Sequence, residues 1–321
     1  AAGNTSDPAT TTVDATKPDA PTLAATDGSP ITGTAEAGST VTVKDAAGNV
    51  IATAVVNANG QWSATPTTAL PDGLNALSVT ATDPAGNTGP AVALPITIDT
   101  SAPAAPAATL AATSDSGVLG DSITADNTPT IQGTGTPGDT ITVTFPGGET
   151  QTAVVAADGS WSVTPTTALS DGVNNLSVTA TDPAGNTSAP TTVPVTIDAT
   201  APAAPTPDVA AASDTGSSST DNLTSDTTPT IQGTGTPGDT ITVKDAAGNV
   251  IATATVASNG TWSATPTTAL PEGLNTLAIT ATDPAGNTGP ATALPITIDT
   301  TAPAAPVAAL ALVSDTGTVG D

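Results

Sequence analysis

The sequence contains neither cysteine nor histidine, and it has only three tryptophans and one phenylalanine as aromatic residues. Without cysteine, no disulfide can stabilise the fold, which matters for an exported chain. Zinc and copper sites usually need nitrogen or sulfur ligands, so these metals are poor candidates. The sequence shows no nucleophile paired with a base and no glycine-rich phosphate loop. We therefore expect that the protein is not an enzyme.

Basic residues are almost missing as well. Three lysines face 29 acidic residues, which gives a formal net charge of −26 at pH 7. Such a surface repels nucleic acid and anionic membranes. No apolar run reaches the roughly 18 to 20 residues that a membrane-spanning helix needs. We expect neither nucleic-acid binding nor membrane insertion.

The apolar content is mostly alanine and valine, which bury little surface each. Low hydrophobicity with high net charge can indicate disorder. Against that reading, segments such as DTITVTF, NNLSVTATD and TTVPVTID alternate apolar residues with threonine or serine. This period of two is typical of half-buried strands, and Gly, Pro, Asn and Asp separate the segments. The pattern favours an all-β fold.

Three landmarks repeat in the same order about every 100 residues, which indicates a tandem array. They are the string ATDPAGNT, a lone tryptophan, and a string of the type TIDxxAPAAP. The tryptophans are Trp62, Trp161 and Trp262. We read the chain as the end of a preceding module with its linker (1–17), three modules (18–102, 103–201 and 202–302), and the start of a following module (303–321).

The second repeat predicts seven short strands with turns between them. We place strand A near 106–112, B from Pro129, C from Thr140, D near 151–156, E from Ser160, F from Asn174 and G from Thr191, with a long acidic loop over 113–128. This spacing is typical of an immunoglobulin-like Greek-key β-sandwich. The Pro-Ala linkers are short and stiff. We expect tandem sandwiches that form an elongated, monomeric rod.

Five motifs in order, TIDxxAPAAP, TDNLTSDTTPTIQGT, GTPGDTITV, DGSWSVTPTTAL and VTATDPAGNT, resemble the bacterial Ig-like repeats of giant Gram-negative surface adhesins. That family includes biofilm-associated proteins and large type I-secreted adhesins. The resemblance covers essentially the whole chain. It implies a surface-exposed stalk that extends an adhesive tip, with calcium ions at and near the module junctions. It also implies an extracellular, cell-surface location after type I secretion.

The acidic residues cluster in a way that fits calcium, which takes six to eight oxygen ligands. Three aspartates crowd the loop between strands A and B in each of repeats two and three, and the tail repeats the start of that pattern. Others end strand G or stand in the DPAGN turns. The candidate ligands are Asp99, Asp115, Asp121, Asp126, Asp182, Asp198, Asp214, Asp221, Asp226, Asp283, Asp299, Asp315 and Asp321.

One pole of a sandwich holds the A–B loop, the E–F loop and the end of strand G. We therefore expect Asp121 or Asp126 to gather with Asp171 and Asp198 near the following linker. The alternative is that these acids are turn formers, since Asp and Asn bond their own backbone. The DPAGN turn lies at the other pole and faces the preceding module. There its aspartate either completes a junction site or only makes the turn.

The first repeat lacks the acidic loop. Ten positions separate Pro21 from Ile31, whereas 25 separate Pro106 from Ile131, and Asp27 is the only acid left in the short segment. We expect module 1 to lack the cation site that this loop builds, or to bind more weakly there.

The function that the resemblance implies is a stalk segment for biofilm formation or attachment to a host or other surface. Its expected partners are neighbouring modules, calcium, and surfaces reached through other regions. The alternative is a carbohydrate-binding or other ligand-binding sandwich. A sugar site needs exposed aromatic rings, whereas the single tryptophan of each repeat is more typical of a core anchor. An ice-binding threonine array is a further reading, but alternating threonines also describe a solvated β face.

Overall fold

The structure is a computed structural model, and it describes residues 13–24, 26 and 28–307. Within these residues all regular secondary structure is β-strand, which confirms the predicted all-β class. The strands fall into three groups, which we call modules 1, 2 and 3. In the described part of the chain, no helix has the length and apolar character that crossing a membrane requires.

Module 1 contains seven strands in two sheets. A three-stranded sheet has the order β1-β2-β5, and a four-stranded sheet has the order β4-β3-β6-β7. All pairs are antiparallel. The strands are β1 (Thr22–Leu23), β2 (Ile31–Thr34), β3 (Thr40–Lys44), β4 (Val50–Val55), β5 (Gln61–Ala64), β6 (Gly73–Thr82) and β7 (Val92–Ile98).

Module 2 repeats this arrangement and adds one strand. Its sheets have the orders β13-β10-β8 and β12-β11-β14-β15-β9. The strands are β8 (Ala107–Leu110), β9 (Ile123–Thr124), β10 (Ile131–Thr134), β11 (Thr140–Thr144), β12 (Thr150–Val154), β13 (Ser160–Val163), β14 (Gly172–Thr181) and β15 (Thr191–Ile197). The seven strands predicted for this module are all present, within a few residues of their predicted positions.

Module 3 has the same eight strands as module 2. Its sheets have the orders β16-β18-β21 and β17-β23-β22-β19-β20. The strands are β16 (Thr206–Val209), β17 (Leu223–Thr224), β18 (Ile231–Thr234), β19 (Thr240–Lys244), β20 (Val250–Thr255), β21 (Thr261–Ala264), β22 (Gly273–Thr282) and β23 (Thr292–Ile298).

The prediction of an unbroken loop over 113–128 is wrong, because β9 lies inside it. This strand pairs in parallel with the end of β15, and its counterpart β17 pairs with β23. Thr124 is fully buried, and its hydroxyl donates to the carbonyl of Ser114. The acidic loop is therefore fixed to the sheet edge, next to the residue that leads into the linker.

Each core lies between the two sheets and follows the alternation seen in the sequence. On β11, Ile141 and Val143 are fully buried, whereas the threonines between them are only half-buried. The tryptophans are 4%, 5% and 4% exposed in modules 1, 2 and 3, which confirms their reading as core anchors. A Cβ added at Gly133 would lie 1.9 Å from the carbonyl oxygen of Ala107 and 2.7 Å from the Trp161 ring. Only glycine allows this close approach.

Candidate junction sites between modules

The DPAGN turn is closed by its own aspartate and asparagine. In module 2, Asp182 Oδ1 accepts from the backbone N–H of Asn186 at 2.9 Å, and Oδ2 accepts from the Asn186 side chain at 2.9 Å. These bonds, the side-chain bond above all, lower the pKa of Asp182, because they favour the charged carboxylate. In module 3, Asp283 accepts the same pair of bonds from Asn287. The turn-forming role of this aspartate is therefore present, and its role as a metal ligand stays a prediction.

The asparagine of this turn also joins the module to the one before it. Its side-chain nitrogen donates to the backbone carbonyl of the aspartate that follows the preceding strand G. The distance is 2.9 Å from Asn186 to Asp99 and 2.7 Å from Asn287 to Asp198. At the start of the chain Asn87 bonds to Asp14 in the same way, at 3.1 Å. This confirms that the DPAGN turn faces the preceding module.

A buried acid in the sequence PGD, which was not among the predicted ligands, lies at the junction of modules 2 and 3. Asp239 is 2% exposed, and its Oδ2 has no hydrogen-bond partner among the described residues. Burial raises its pKa, and the negative charges of Asp283 and Asp198 raise it further. Asp283 belongs to the same module as Asp239, whereas the charge of Asp198 acts across the junction from module 2.

The same position differs between the modules. Asp139 in module 2 is 3% exposed, and its Oδ2 is likewise without a partner in the part of the chain that the structure describes. In module 1 the position is Ser39, which is fully buried. Only a pattern of burial distinguishes these acids from ordinary turn residues, since PGD by itself is a typical turn sequence.

The acidic loop of module 2 uses its aspartates to hold its own turns. Asp121 Oδ1 accepts from the backbone N–H of Ile123 at 2.9 Å, and Asp126 Oδ1 accepts from that of Thr128 at 3.0 Å. Asp115 Oδ2 accepts from the backbone N–H of Gly120. The other carboxylate oxygen of Asp115, Oδ1, is buried and has no hydrogen-bond partner among the described residues. Each aspartate thus has a turn-forming contact, and one of them keeps a free buried oxygen.

In module 3 two free oxygens occur in the corresponding loop. Asp214 is 5% exposed; its Oδ2 accepts from the backbone N–H of Asn222 at 3.3 Å, and its Oδ1 has no partner in the described structure. The side-chain oxygen of Asn222 is also buried and unpartnered there. Asp221 and Asp226 hold turns as their counterparts in module 2 do. Buried unpaired oxygens are costly, and a hard cation is the kind of ligand that would satisfy them.

The end of strand G brings two of the predicted acids to one residue. Asp171 Oδ2 accepts from the hydroxyl of Thr200 at 2.9 Å, and Asp198 Oδ1 accepts from its backbone N–H at 3.2 Å. Asp299 accepts from Thr301, and Asp99 from Ser101, in the same way as Asp198. We expected these acids to lie together with Asp121 or Asp126, but the described residues do not form a metal-binding cluster there. Across residues 13–24, 26 and 28–307, no group of three or more Asp or Glu side chains could hold a metal ion.

Three residues of the sequence reading fall outside the described residues. They are Asp27 in the short segment of module 1, and Asp315 and Asp321 in the tail.

Comparisons with known proteins place this architecture. Residues 102–199 and 200–300 each match the family model described as bacterial Ig-like domain, and residues 17–97 match the model described as bacterial Ig domain. A comparison with curated proteins gave no match.

Several solved structures are similar to the chain. One is a tetra-tandem repeat in the extending region of a large adhesion protein, which is 26% identical, covers 90% of this chain and 76% of its own, and has a TM-score of 0.31. Another, from work on host cell surface retention of a 1.5-MDa bacterial ice-binding adhesin, is 26% identical, with 85% and 92% covered and a TM-score of 0.34. The BSP domain of a biofilm-associated protein is 14% identical, with 89% and 67% covered and a TM-score of 0.25. Because the matches to the bacterial Ig-like domain model together span more than half of the sequence, the chain belongs to the bacterial Ig-like domain family.

Proposed function

We propose that this chain is a stalk segment of a large, repetitive bacterial cell-surface adhesin that acts in biofilm formation or in attachment to a host or other surface. The observation that carries the proposal is the junction bond repeated three times, from the DPAGN asparagine to the carbonyl of the preceding strand-G aspartate. A repeated joint lets one module stack on any other, as a repeat array requires. The adhesive contact itself belongs to other regions of the parent protein.

The proposal includes an extracellular location at the bacterial surface, reached by type I secretion. The net charge of −26 is compatible with a rod exposed at the surface, because it favours solubility and opposes self-association. The absence of cysteine from the sequence means that the modules need another source of stability outside the cell.

Calcium is the proposed source of that stability. Two observations at the junction of modules 2 and 3 support the proposal: Asp239 offers a buried, unpartnered oxygen, and the charges of Asp198 and Asp283 raise its pKa. These three side chains do not by themselves form a group that could hold an ion, so the proposed site also needs oxygen ligands from the backbone or from water. Asp99, Asp139 and Asp182 occupy the equivalent positions at the junction of modules 1 and 2. Bound there, the ion would supply positive charge to a site where like charges repel.

The sign of the pKa shift supports the same conclusion. A carboxyl whose pKa is raised on folding lowers the stability of the folded state as the pH rises from the unfolded pKa through the folded pKa, because folding disfavours the charged form. At neutral pH Asp239 therefore costs folding free energy when no cation is present. A cation that binds only the folded junction would offset this cost by mass action. Extracellular calcium reaches the range of about 10⁻⁴ to 10⁻³ M at which extracellular modules bind it.

The calcium proposal is tested by thermal unfolding of the full chain and of the variant Asp239→Asn, each with calcium and with chelator. The substitution removes the unpaired charge and keeps the shape. In chelator the variant should therefore unfold at a higher temperature than the parent. With calcium the rise in unfolding temperature should be smaller in the variant than in the parent.

The matched control is Asp245→Asn, which changes the charge equally but lies in a hairpin turn where Asn249 lowers the aspartate pKa. This control should leave the response to calcium unchanged. A parent chain whose unfolding does not respond to calcium would contradict calcium binding and leave the stalk role standing. A compact, non-rod-like chain in solution would contradict the stalk role itself.

A further inference from the structure

A short segment of the acidic loop in module 2 touches the DPAGN turn of module 3. We propose that this segment, Ser116, Gly117 and Val118, is a docking surface for the DPAGN turn of the following module. We call it the latch segment. The contact needs no metal ion, and modules that lack the acidic loop cannot make it. The array therefore contains two kinds of joint, latched and unlatched.

The latch segment binds backbone atoms of the next module. The backbone N–H of Val118 donates to the carbonyl of Pro284 at 3.0 Å. The hydroxyl of Ser116 donates to the carbonyl of Ala285. Both acceptors belong to the backbone of the DPAGN turn, so any module with this turn can offer them. The partner is thus defined by backbone shape and not by side-chain identity.

Gly117 is what allows the close approach. A Cβ at this position would lie 2.0 Å from the carbonyl oxygen of Pro284 and 2.6 Å from the nitrogen of Gly286. Real side chains do not tolerate such distances, and the backbone atoms they would meet cannot move aside cheaply. The φ angle of Gly117 is 71°, which also favours glycine. The sequence thus provides glycine at a position where the backbone of the next module leaves no room for a side chain.

A hydrogen bond within the acidic loop of module 2 orients the Ser116 side chain that contacts module 3. Its hydroxyl oxygen accepts from the backbone N–H of Ala125 at 2.8 Å. In module 3 the corresponding residue is Thr215, whose hydroxyl oxygen accepts from the backbone N–H of Ser225 at 2.9 Å. A glycine, Gly216, follows it as Gly117 follows Ser116. Module 3 therefore offers the same hydroxyl and glycine to a module that follows it.

The joint between modules 1 and 2 shows what happens without the loop. The turn of module 2 has the same sequence, and its asparagine makes the same bond to the preceding aspartate. However, a Cβ at Gly185 would meet no atom of the described chain within 4 Å, whereas one at Gly286 would lie 3.0 Å from the nitrogen of Gly117. The turn is the same at both joints. The preceding module decides whether it is latched.

The test measures the spread of distances across each joint in the full chain. The sequence has no cysteine, so pairs of introduced cysteines can carry spin labels at chosen positions only. Leu74, Val173 and Leu274 occupy equivalent positions on β6, β14 and β22, and they are 72%, 67% and 70% exposed. One pair, L74C with V173C, spans the unlatched joint, and the other, V173C with L274C, spans the latched joint. Pulsed electron–electron distance measurements in chelator give the width of each distance distribution.

We expect a narrower distribution across the latched joint than across the unlatched joint, with no calcium present. The substitution Gly117→Ala should broaden the former to the width of the latter. Because this change also alters the loop itself, a second variant, Gly286→Ala, disrupts the same contact from the side of module 3. It should broaden the distribution in the same way. Its control is Gly185→Ala, which places a side chain at an equally positive φ in the unlatched joint and should leave that distribution unchanged.

Two results would overturn the proposal. One is equal widths for both joints in chelator. The other is a latched-joint width that neither Gly117→Ala nor Gly286→Ala alters, while tryptophan fluorescence shows the modules folded. Neither result depends on calcium, so the latch and the calcium proposal fail separately.

Discussion

At the scale of single residues, the acidic side chains of this protein have three different environments. Most hold turns, as Asp126 does for Thr128. A few keep a buried oxygen without a partner in the described structure, as Asp239 does. Glu149 is a third case, since its carboxylate accepts several hydrogen bonds from a loop that is distant in the sequence. The sequence shows all of them only as acids near turns, because burial and long-range hydrogen bonds depend on the folded chain.

The lowered pKa of Glu149 predicts that the stability of module 2 depends on pH. Hydrogen bonds lower the pKa of Glu149 from 4.5 to about 2. The bond from the backbone N–H of Thr166 has the largest effect, followed by those from the Gln151 side chain and the Thr166 hydroxyl. A carboxyl with a lowered pKa stabilises the fold above its unfolded pKa and loses this effect as the pH falls through the folded value. Module 2 should therefore lose stability between about pH 4.5 and about pH 2 through this group.

The variant Glu149→Gln tests this prediction by chemical denaturation at several pH values. It should unfold more easily than the parent at pH 7, and the difference should shrink as the pH falls toward 2. Modules 1 and 3 have Asn49 and Asn249 at the same position, so only the transition of module 2 should move. A constant difference at all pH values would show that the carboxylate charge has no role.

At the scale of elements, the sequence predicted the seven main strands of module 2 because their alternation is local. On β11, for example, every second residue is apolar and buried. It did not predict β9, since a two-residue strand has no visible period and exists only by pairing with β15. Nor did the sequence identify the latch segment. Its glycine, Gly117, is typical of an ordinary turn, and only the folded structure shows that it contacts the next module.

The pairing of β9 depends on a buried threonine. Thr124 donates to the carbonyl of Ser114 and accepts from the backbone N–H of Asp126 at 3.0 Å. The variant Thr124→Val keeps the shape and removes both bonds. We expect a loss of about 1 to 3 kcal/mol in the local stability of the loop, as for other buried groups left without a partner. Hydrogen exchange of the β9 amides measures this loss.

The control for that experiment is Thr150→Val, an equal change at an exposed position on β12. It should leave the exchange of the β9 amides unaltered. Equal exchange in Thr124→Val and the parent would mean that the loop is held by other contacts.

At the scale of the whole molecule, the modules are alike in sheet order and unlike at their joints. Each joint repeats the bond from the DPAGN asparagine to the preceding backbone carbonyl. Module 1 lacks the acidic loop, whereas modules 2 and 3 attach theirs to the sheet edge through β9 and β17. The repeat period alone predicted the tandem organisation, and the length of one loop predicted that module 1 would differ. Together these features support our proposal that the chain is a rod whose joints stiffen with calcium.

Small-angle X-ray scattering of the full chain, in calcium and then in chelator, tests that claim most directly. In calcium we expect an elongated particle, with a cross-section of one sandwich and a maximum dimension close to three modules placed end to end. In chelator the maximum dimension should shorten and the profile should indicate a more flexible chain. A compact particle in calcium, or identical profiles in both conditions, would contradict it.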